Sequence, residues 1–386
     1  MNKLALTNFR AYVEQAWRDD FAMVVDNGLI ASLRPAAQLD HQIKQYDCQG
    51  KILAPGFIDT QVNGGGGVMF NQSPNARSLH TIREGHWSGG TTGMLPTLIT
   101  DDDEVMAQAV DAVTATLGTL PEILGIHLEG PHLSVQRKGV HDAEKIRPFN
   151  SHTEALLSRL PARHYLITLA PEHAPEGLIA NLSRRGIRVS AGHTAASYDQ
   201  IRAALDAGLS CFTHLHNAMA PLTSREPGVV GAALEDTQSY MGIIIDGFHL
   251  HPTTAKLSIA AKARGKTLLV SDAMATVGSE HHSFELYGQT IYEKDGRCAT
   301  ADGTLAGSAL DMISAVRNCV TTLGIPLEEA LRMASQYPAE FLAVDHERGH
   351  LREGHRADFV LIDSELVLQQ TWVGGECRYS AAQKTS

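Results

Sequence analysis

Ile123-Leu124-Gly125-Ile126-His127-Leu128-Glu129-Gly130-Pro131 decides the fold. It is a short apolar run with Pro121 before it and Gly130-Pro131 after it, the pattern of a buried strand. It ends on a carboxylate, Glu129, and burying a carboxylate is costly unless something pairs with its charge. A nearby Arg or Lys would satisfy it. The strand-like runs downstream favour a metal instead. Ile187 to His193 ends Ser-Ala-Gly-His, Cys211 to His214 ends Thr-His, and Thr267 to Asp272 ends Val-Ser-Asp. Successive strands that deliver such groups at the same ends build the active face of a barrel enzyme.

Working outward, eight strand-like runs occur: Ile52–Val62, Thr92–Leu98, Ile123–Glu129, Tyr165–Ala170, Ile187–His193, Cys211–His214, Met241–Asp246 and Thr267–Asp272. Helical periodicity lies between most of them. Helices are predicted over Asp102 to Leu117, Ser197 to Ala207 and Thr253 to Ala263, with two more at Ser308 to Leu323 and Leu327 to Val344. The alternation predicts an α/β fold, a (β/α)8 TIM-type barrel over residues 51–348. An open doubly wound sheet is the alternative. Residues 1–50 and 349–386 read as short strands, including a hairpin at Phe21–Val25, Asn27-Gly28 and Leu29–Leu33. The two ends are expected to join into one small β-sandwich domain.

The balance is acidic, 43 Asp and Glu against 32 Lys and Arg, which argues against nucleic acid or an anionic membrane as partner. No stretch is long and apolar enough to span a membrane, and the N-terminus lacks the apolar core of a signal peptide. The five cysteines are scattered without zinc-type spacing. They predict reduced thiols and a cytoplasmic location.

Glu129, His193 and His214 form a candidate three-ligand set, and one carboxylate with two imidazoles leaves an open position for water in a catalytic zinc site. The metal would lower that water's pKa and polarise a bound carbonyl. Asp272 suits a general base that later protonates the leaving group. His216 is expected to support the ligands from behind or to touch the substrate, rather than to be a fourth ligand. Gly64 to Gly67 reads as a flexible loop beside the site, and His281-His282 as a surface pair.

Ala54-Pro55-Gly56-Phe57-Ile58-Asp59, His127-Leu128-Glu129-Gly130-Pro131, Ala191-Gly192-His193-Thr194, Thr213 to Met219, Asp246-Gly247-Phe248-His249 and Ser271-Asp272-Ala273-Met274 together resemble the N-acetylglucosamine-6-phosphate deacetylase family of the amidohydrolase superfamily. The resemblance covers nearly the whole chain. It implies metal-dependent removal of acetate from an N-acetylated amino-sugar 6-phosphate in amino-sugar catabolism, with metal-bound water as nucleophile. It implies His141 as a donor to the acetyl carbonyl. Asn217, Ala218, Arg225, His249 and the loop Leu305-Ala306-Gly307 would contact the sugar phosphate. Gln61 and Asn63 stand where the wider superfamily has two histidines for a second metal, and neither is a good transition-metal ligand. One divalent metal per subunit is therefore expected, zinc first, with iron, manganese or cobalt as alternatives. The resemblance also implies a homodimer or dimer of dimers, with Arg225 and His249 reaching the neighbouring site. The competing view of Arg225 is a surface residue paired with Glu226. Competing functions are another amidohydrolase acting on a different N-acyl amino sugar or a cyclic amide, and a barrel that has lost catalysis.

Overall fold

The computed structural model describes residues 3–40 and 42–382. Eight parallel strands hydrogen-bond in chain order: β1 (Phe57–Val62), β2 (Thr91–Ile99), β3 (Ile126–Glu129), β4 (Tyr165–Leu169), β5 (Arg188–Ala191), β6 (Cys211–Phe212), β7 (Tyr240–Ile243) and β8 (Thr267–Leu269). The register is continuous, with His127 opposite Thr97 on one side and Leu166 on the other. The ends meet as well. Val62 bridges Ala273, and the Asp272 N–H donates to Gln61 O at 3.1 Å. That closure selects the barrel over an open sheet.

Local chemistry explains where several helices start. Ser197 caps the helix Tyr198–Asp206 and exchanges hydrogen bonds with Gln200 in a capping box. Pro252 opens the helix Pro252–Ala261, where its missing N–H costs nothing. The helix Asp103–Thr116 carries Asp103 and Glu104 in its first turn, favoured by the helix dipole.

Three expectations are corrected. The run Ile52–Val62 is two strands, Lys44–Pro55 and β1, split at Gly56. A Cβ on Gly56 would sit 2.1 Å from Thr92 Oγ1, so only glycine lets the chain turn there. The last predicted helix is two, Leu327–Ala334 and Gln336–Leu342, broken at Ser335. The Ser335 hydroxyl bonds back to Leu331 O, and Pro338 has no N–H to continue the ladder. Between β8 and the later helices lies an unexpected antiparallel sheet: Ser283–Leu286, Gln289–Lys294, Arg297–Ala299 and Leu305–Ser308. Leu305-Ala306-Gly307 is therefore strand, not loop.

Both chain ends enter one eight-stranded sheet. Leu4–Val13 pairs in parallel with Lys44–Pro55, whose other edge takes Phe359–Ile362 antiparallel. Asn27 and Gly28 make the predicted hairpin turn, both at positive φ. The core of this sheet includes Leu6, Phe9, Met23 and Ile30 from the N-terminal part, with Phe359 stacked on Trp372 at 5.2 Å. Compactness groups Met1–Ile58, His86–Gly93 and Asp311–Ser386 in one unit, and Asp59–Gly85 and Met94–Leu310 in another. Residues 311–348, read from sequence as barrel, thus cluster with the chain ends.

Candidate active site

The candidate side chains leave the barrel just where its strands stop. Glu129 is the last residue of β3, while His193, His214 and Asp272 follow β5, β6 and β8. The latter three have φ of 48°, 31° and 52°. Left-handed backbone at non-glycine residues costs about 1–3 kcal/mol each and persists where the surroundings over-determine it. Here it turns each chain out of its strand with the side chain aimed over the barrel mouth.

Glu129, His193 and His214 each place one ligand atom within 4.8 Å of the others. Glu129 Oε1 lies 3.1 Å from His193 Nε2 and 2.9 Å from His214 Nε2, and the two imidazole nitrogens are 3.1 Å apart. His193 Nδ1 faces Arg137 O at 2.9 Å. A carbonyl only accepts, so a ring proton sits on Nδ1, and Nε2 is the nitrogen that would give its lone pair to a cation. Two nitrogens and one carboxylate oxygen converging on a point fit a divalent cation. Burial works against the Glu129 charge, but hydrogen bonds from His193 and His214 hold its pKa well below the usual carboxylate range. His214 is also buried, and Glu129 nonetheless pushes its pKa up.

These three residues line a cavity of about 160 Å³ with His141, Asn217, Ala218, His249, Asp272, Leu305 and Gly307. Gln61 and Asn63 point their amides at the acids. Gln61 Nε2 donates to Glu129 Oε2 and to Asp272 Oδ1, each at 3.1 Å, and Asn63 Nδ2 donates to Asp272 Oδ1 at 2.7 Å. They give the Asp272 carboxylate two neutral hydrogen-bond donors. Burial and the Glu129 charge raise Asp272 to about 6.

Asp59 was not singled out as a site residue by its sequence, although it shares the β1 face with Gln61. Its Oδ1 accepts from the N–H groups of Gln61 (3.1 Å) and Ser271 (3.3 Å), tying β1 to the turn that carries Asp272. Its Oδ2 is buried with no partner. Burial pushes this carboxyl up to about 7, against the hydrogen bonds from Ser271 and Gln61. An acid whose folded pKa is raised destabilises the fold progressively as pH climbs from its unfolded pKa to its folded one. Asp59→Asn is therefore expected to gain stability over wild type between pH 5 and pH 8, by on the order of 2 kcal/mol. Urea midpoints of both proteins at both pH values check this. A constant difference would contradict it.

The remaining predicted residues divide. His249 Nδ1 is 2.6 Å from Asp246 Oδ2, and Asp246 Oδ1 accepts the N–H of His249, so Asp246 fixes the ring. Ala306 is buried beside the cavity-lining Leu305 and Gly307. His216 turns away, with Nε2 2.6 Å from Ser258 Oγ. Arg225 is exposed and outside the cavity lining. Glu226 bonds the N–H groups of Tyr198 and Gly228 instead. Gly64, Gly66 and Gly67 donate their N–H groups to Ala273, Val277 and Ala275 carbonyls, so the glycine run is a fixed turn rather than a flexible loop. His282 pairs with Glu293 at the surface. His127, between Thr97 and Thr168 inside the barrel, is lowered by burial to about 4 and remains a neutral hydrogen-bonding core residue.

Two family models match in tandem. Residues 4–53 match the NagA composite domain, and residues 52–382 match the amidohydrolase family. The chain belongs to the amidohydrolase family. Within it, the chain sits among the amino-sugar 6-phosphate deacetylases. It is 41% identical to an N-acetylgalactosamine-6-phosphate deacetylase of Shewanella sp. (strain ANA-3), over 94% of this chain and 92% of that one. The crystal structure of N-acetylglucosamine-6-phosphate deacetylase from Pasteurella multocida superposes with TM-score 0.93 at 39% identity, covering 97% and 99% of the chains. An aspartate-to-alanine mutant of the Mycobacterium smegmatis deacetylase, in complex with N-acetyl-D-glucosamine-6-phosphate, superposes with TM-score 0.89 at 29% identity, covering 98% and 100%. Amidohydrolases are metal-dependent, in keeping with the Glu129–His193–His214 cluster.

Proposed function

We propose that this chain hydrolyses the N-acetyl group of N-acetylglucosamine 6-phosphate, giving glucosamine 6-phosphate and acetate in amino-sugar catabolism. The observation that carries this is Asp272, held by two neutral amides in one cavity with the Glu129–His193–His214 cluster. Glu129, His193 and His214 would hold one divalent metal, zinc by the mixed nitrogen and oxygen donor set. When bound, the metal supplies Lewis-acid polarisation and activates the attacking water. Asp272 takes the water's proton and passes it to the leaving nitrogen. His141 donates to the acetyl carbonyl. Asn217, Ala218, Leu305, Ala306 and Gly307 seat the sugar, and His249 with Arg225 takes the phosphate. Four buried thiols and no disulfide among the described residues support a cytoplasmic setting, and no described helix is long and apolar enough to cross a membrane.

Acetate release from N-acetylglucosamine 6-phosphate and from the unphosphorylated sugar tests this, with the galactosamine epimer alongside because relatives of both specificities match. Charge-assisted hydrogen bonds contribute about 1.5–3 kcal/mol each, so a preference of at least about tenfold in kcat/KM for the phosphate is expected. Release of acetate from no phosphorylated sugar would reject the activity.

Arg225 carries a proposal of its own. Its exposure in the single chain, and a loop rigidified by Pro221 and Pro227, support a role in a neighbouring subunit's site, within a homodimer or dimer of dimers. Mixing Arg225→Ala with Asp272→Asn chains makes about half the dimers mixed, each with one intact site. Roughly a quarter of wild-type activity should return. Activity no higher than the mean of the separate mutants, with subunit exchange demonstrated, would reject the shared site.

A further inference from the structure

We infer that Thr100 is a positioning residue for His141, fixing the ring tautomer that makes it a hydrogen-bond donor in the cavity. Thr100 is the residue after β2, almost fully buried. Its N–H donates to His141 Nδ1 at 3.3 Å, and its Oγ1 lies 2.7 Å from the same nitrogen. A backbone N–H can only donate, so Nδ1 is an acceptor and the ring's proton sits on Nε2. The hydroxyl then donates to Nδ1 as well, and one residue chelates one lone pair. That leaves Nε2–H as the ring's remaining polar group, on a side chain that lines the cavity beside His193, ring centroids 4.3 Å apart.

The surroundings are built to hold this arrangement. The Tyr287 hydroxyl donates to Thr100 O, so the unexpected antiparallel sheet buttresses the end of β2. Gly130, at φ 90°, leaves space for the Thr100 hydroxyl: a Cβ there would lie 2.3 Å from Oγ1. His141 is itself tethered by its N–H to Lys138 O at 3.0 Å. Among the described residues, Thr100 is the one whose side chain hydrogen-bonds His141 Nδ1.

The consequence for catalysis rests on the proposed role of His141 toward the acetyl carbonyl. The opposite tautomer would present a lone pair to that oxygen, which repels rather than stabilises developing negative charge. Thr100→Val keeps the side-chain shape and the N–H but removes the hydroxyl, while Thr100→Ser retains it.

Two measurements on metal-loaded protein test the inference. The first is long-range 15N–1H correlation on histidine-labelled protein, with the His141 signals assigned by their loss in His141→Gln. Wild type should show His141 as the Nε2–H tautomer, and Thr100→Val should show Nδ1–H admixed. The second is steady-state deacetylation. Thr100→Val should lower kcat about ten- to a hundredfold at nearly constant KM, short of the roughly 10²–10³-fold of deleting such a donor. Thr100→Ser should stay within about threefold of wild type, and metal content should be unchanged in both. A wild-type His141 in the Nδ1–H form, or Thr100→Val at wild-type kcat, would overturn the inference. Failure of wild type to release acetate would instead reject the proposed function, and the tautomer measurement would still judge Thr100.

Discussion

Replacing Asp272 with asparagine is expected to lower turnover by roughly 10²–10⁴-fold, the range for losing a general acid–base group, while metal content stays at the wild-type level. The geometry explains why the two effects separate. Asp272 is outside the Glu129–His193–His214 cluster, and its Oδ1 already accepts from Gln61 and Asn63. An asparagine carbonyl can keep both hydrogen bonds, so the pocket should retain its shape and its substrate. Asparagine cannot take a proton from water at neutral pH. KM should therefore move little while kcat collapses. Steady-state kinetics with elemental analysis of the same preparation decides this. Near-normal turnover would remove Asp272 from the proton path.

His193→Asn is expected to fail differently, by losing the metal. His193 Nε2 is within 3.1 Å of both Glu129 Oε1 and His214 Nε2, and its Nδ1 is anchored on Arg137 O. The shorter asparagine cannot bring a donor to the same point. Two protein ligands remain, and Lewis-acid stabilisation of several kcal/mol is lost, on the order of 10³-fold in rate or more. Equilibrium dialysis against zinc, with circular dichroism to show an intact fold, separates this from unfolding. Full metal retention with lost activity would move His193 from ligand to another role.

The sequence made the barrel legible through its apolar runs, because parallel strands buried on both faces carry near-continuous hydrophobic stretches. It also put Glu129, His193, His214 and Asp272 at the ends of those runs, and the structure gathers the four around one cavity. Strand limits were less so. The runs overshoot β5, β6 and β8, because the backbone turns to positive φ within them, and no periodicity signals that. Asp59 and Thr100 escaped because a buried Asp and a strand-end Thr look ordinary until their partners, Ser271 and His141, are known to be adjacent. The antiparallel sheet after β8 did leave a trace. Asp295-Gly296, at φ 54° and 84°, is a hairpin-turn pair between alternating residues, but polar neighbours such as Glu293 and Lys294 mask its strands. Arg225 shows the opposite limit: a single chain leaves it in solvent, so neither its sequence nor its fold alone gives it a partner.

Metal-stripped protein titrated with zinc, with acetate release from N-acetylglucosamine 6-phosphate followed at each addition, tests the central claim most directly. Three converging ligands, with amides at positions 61 and 63, predict activity that rises from background and breaks to a plateau at one equivalent per chain. A break at two equivalents, or full activity before any metal is added, would contradict a site with one metal and Asp272 as its proton carrier.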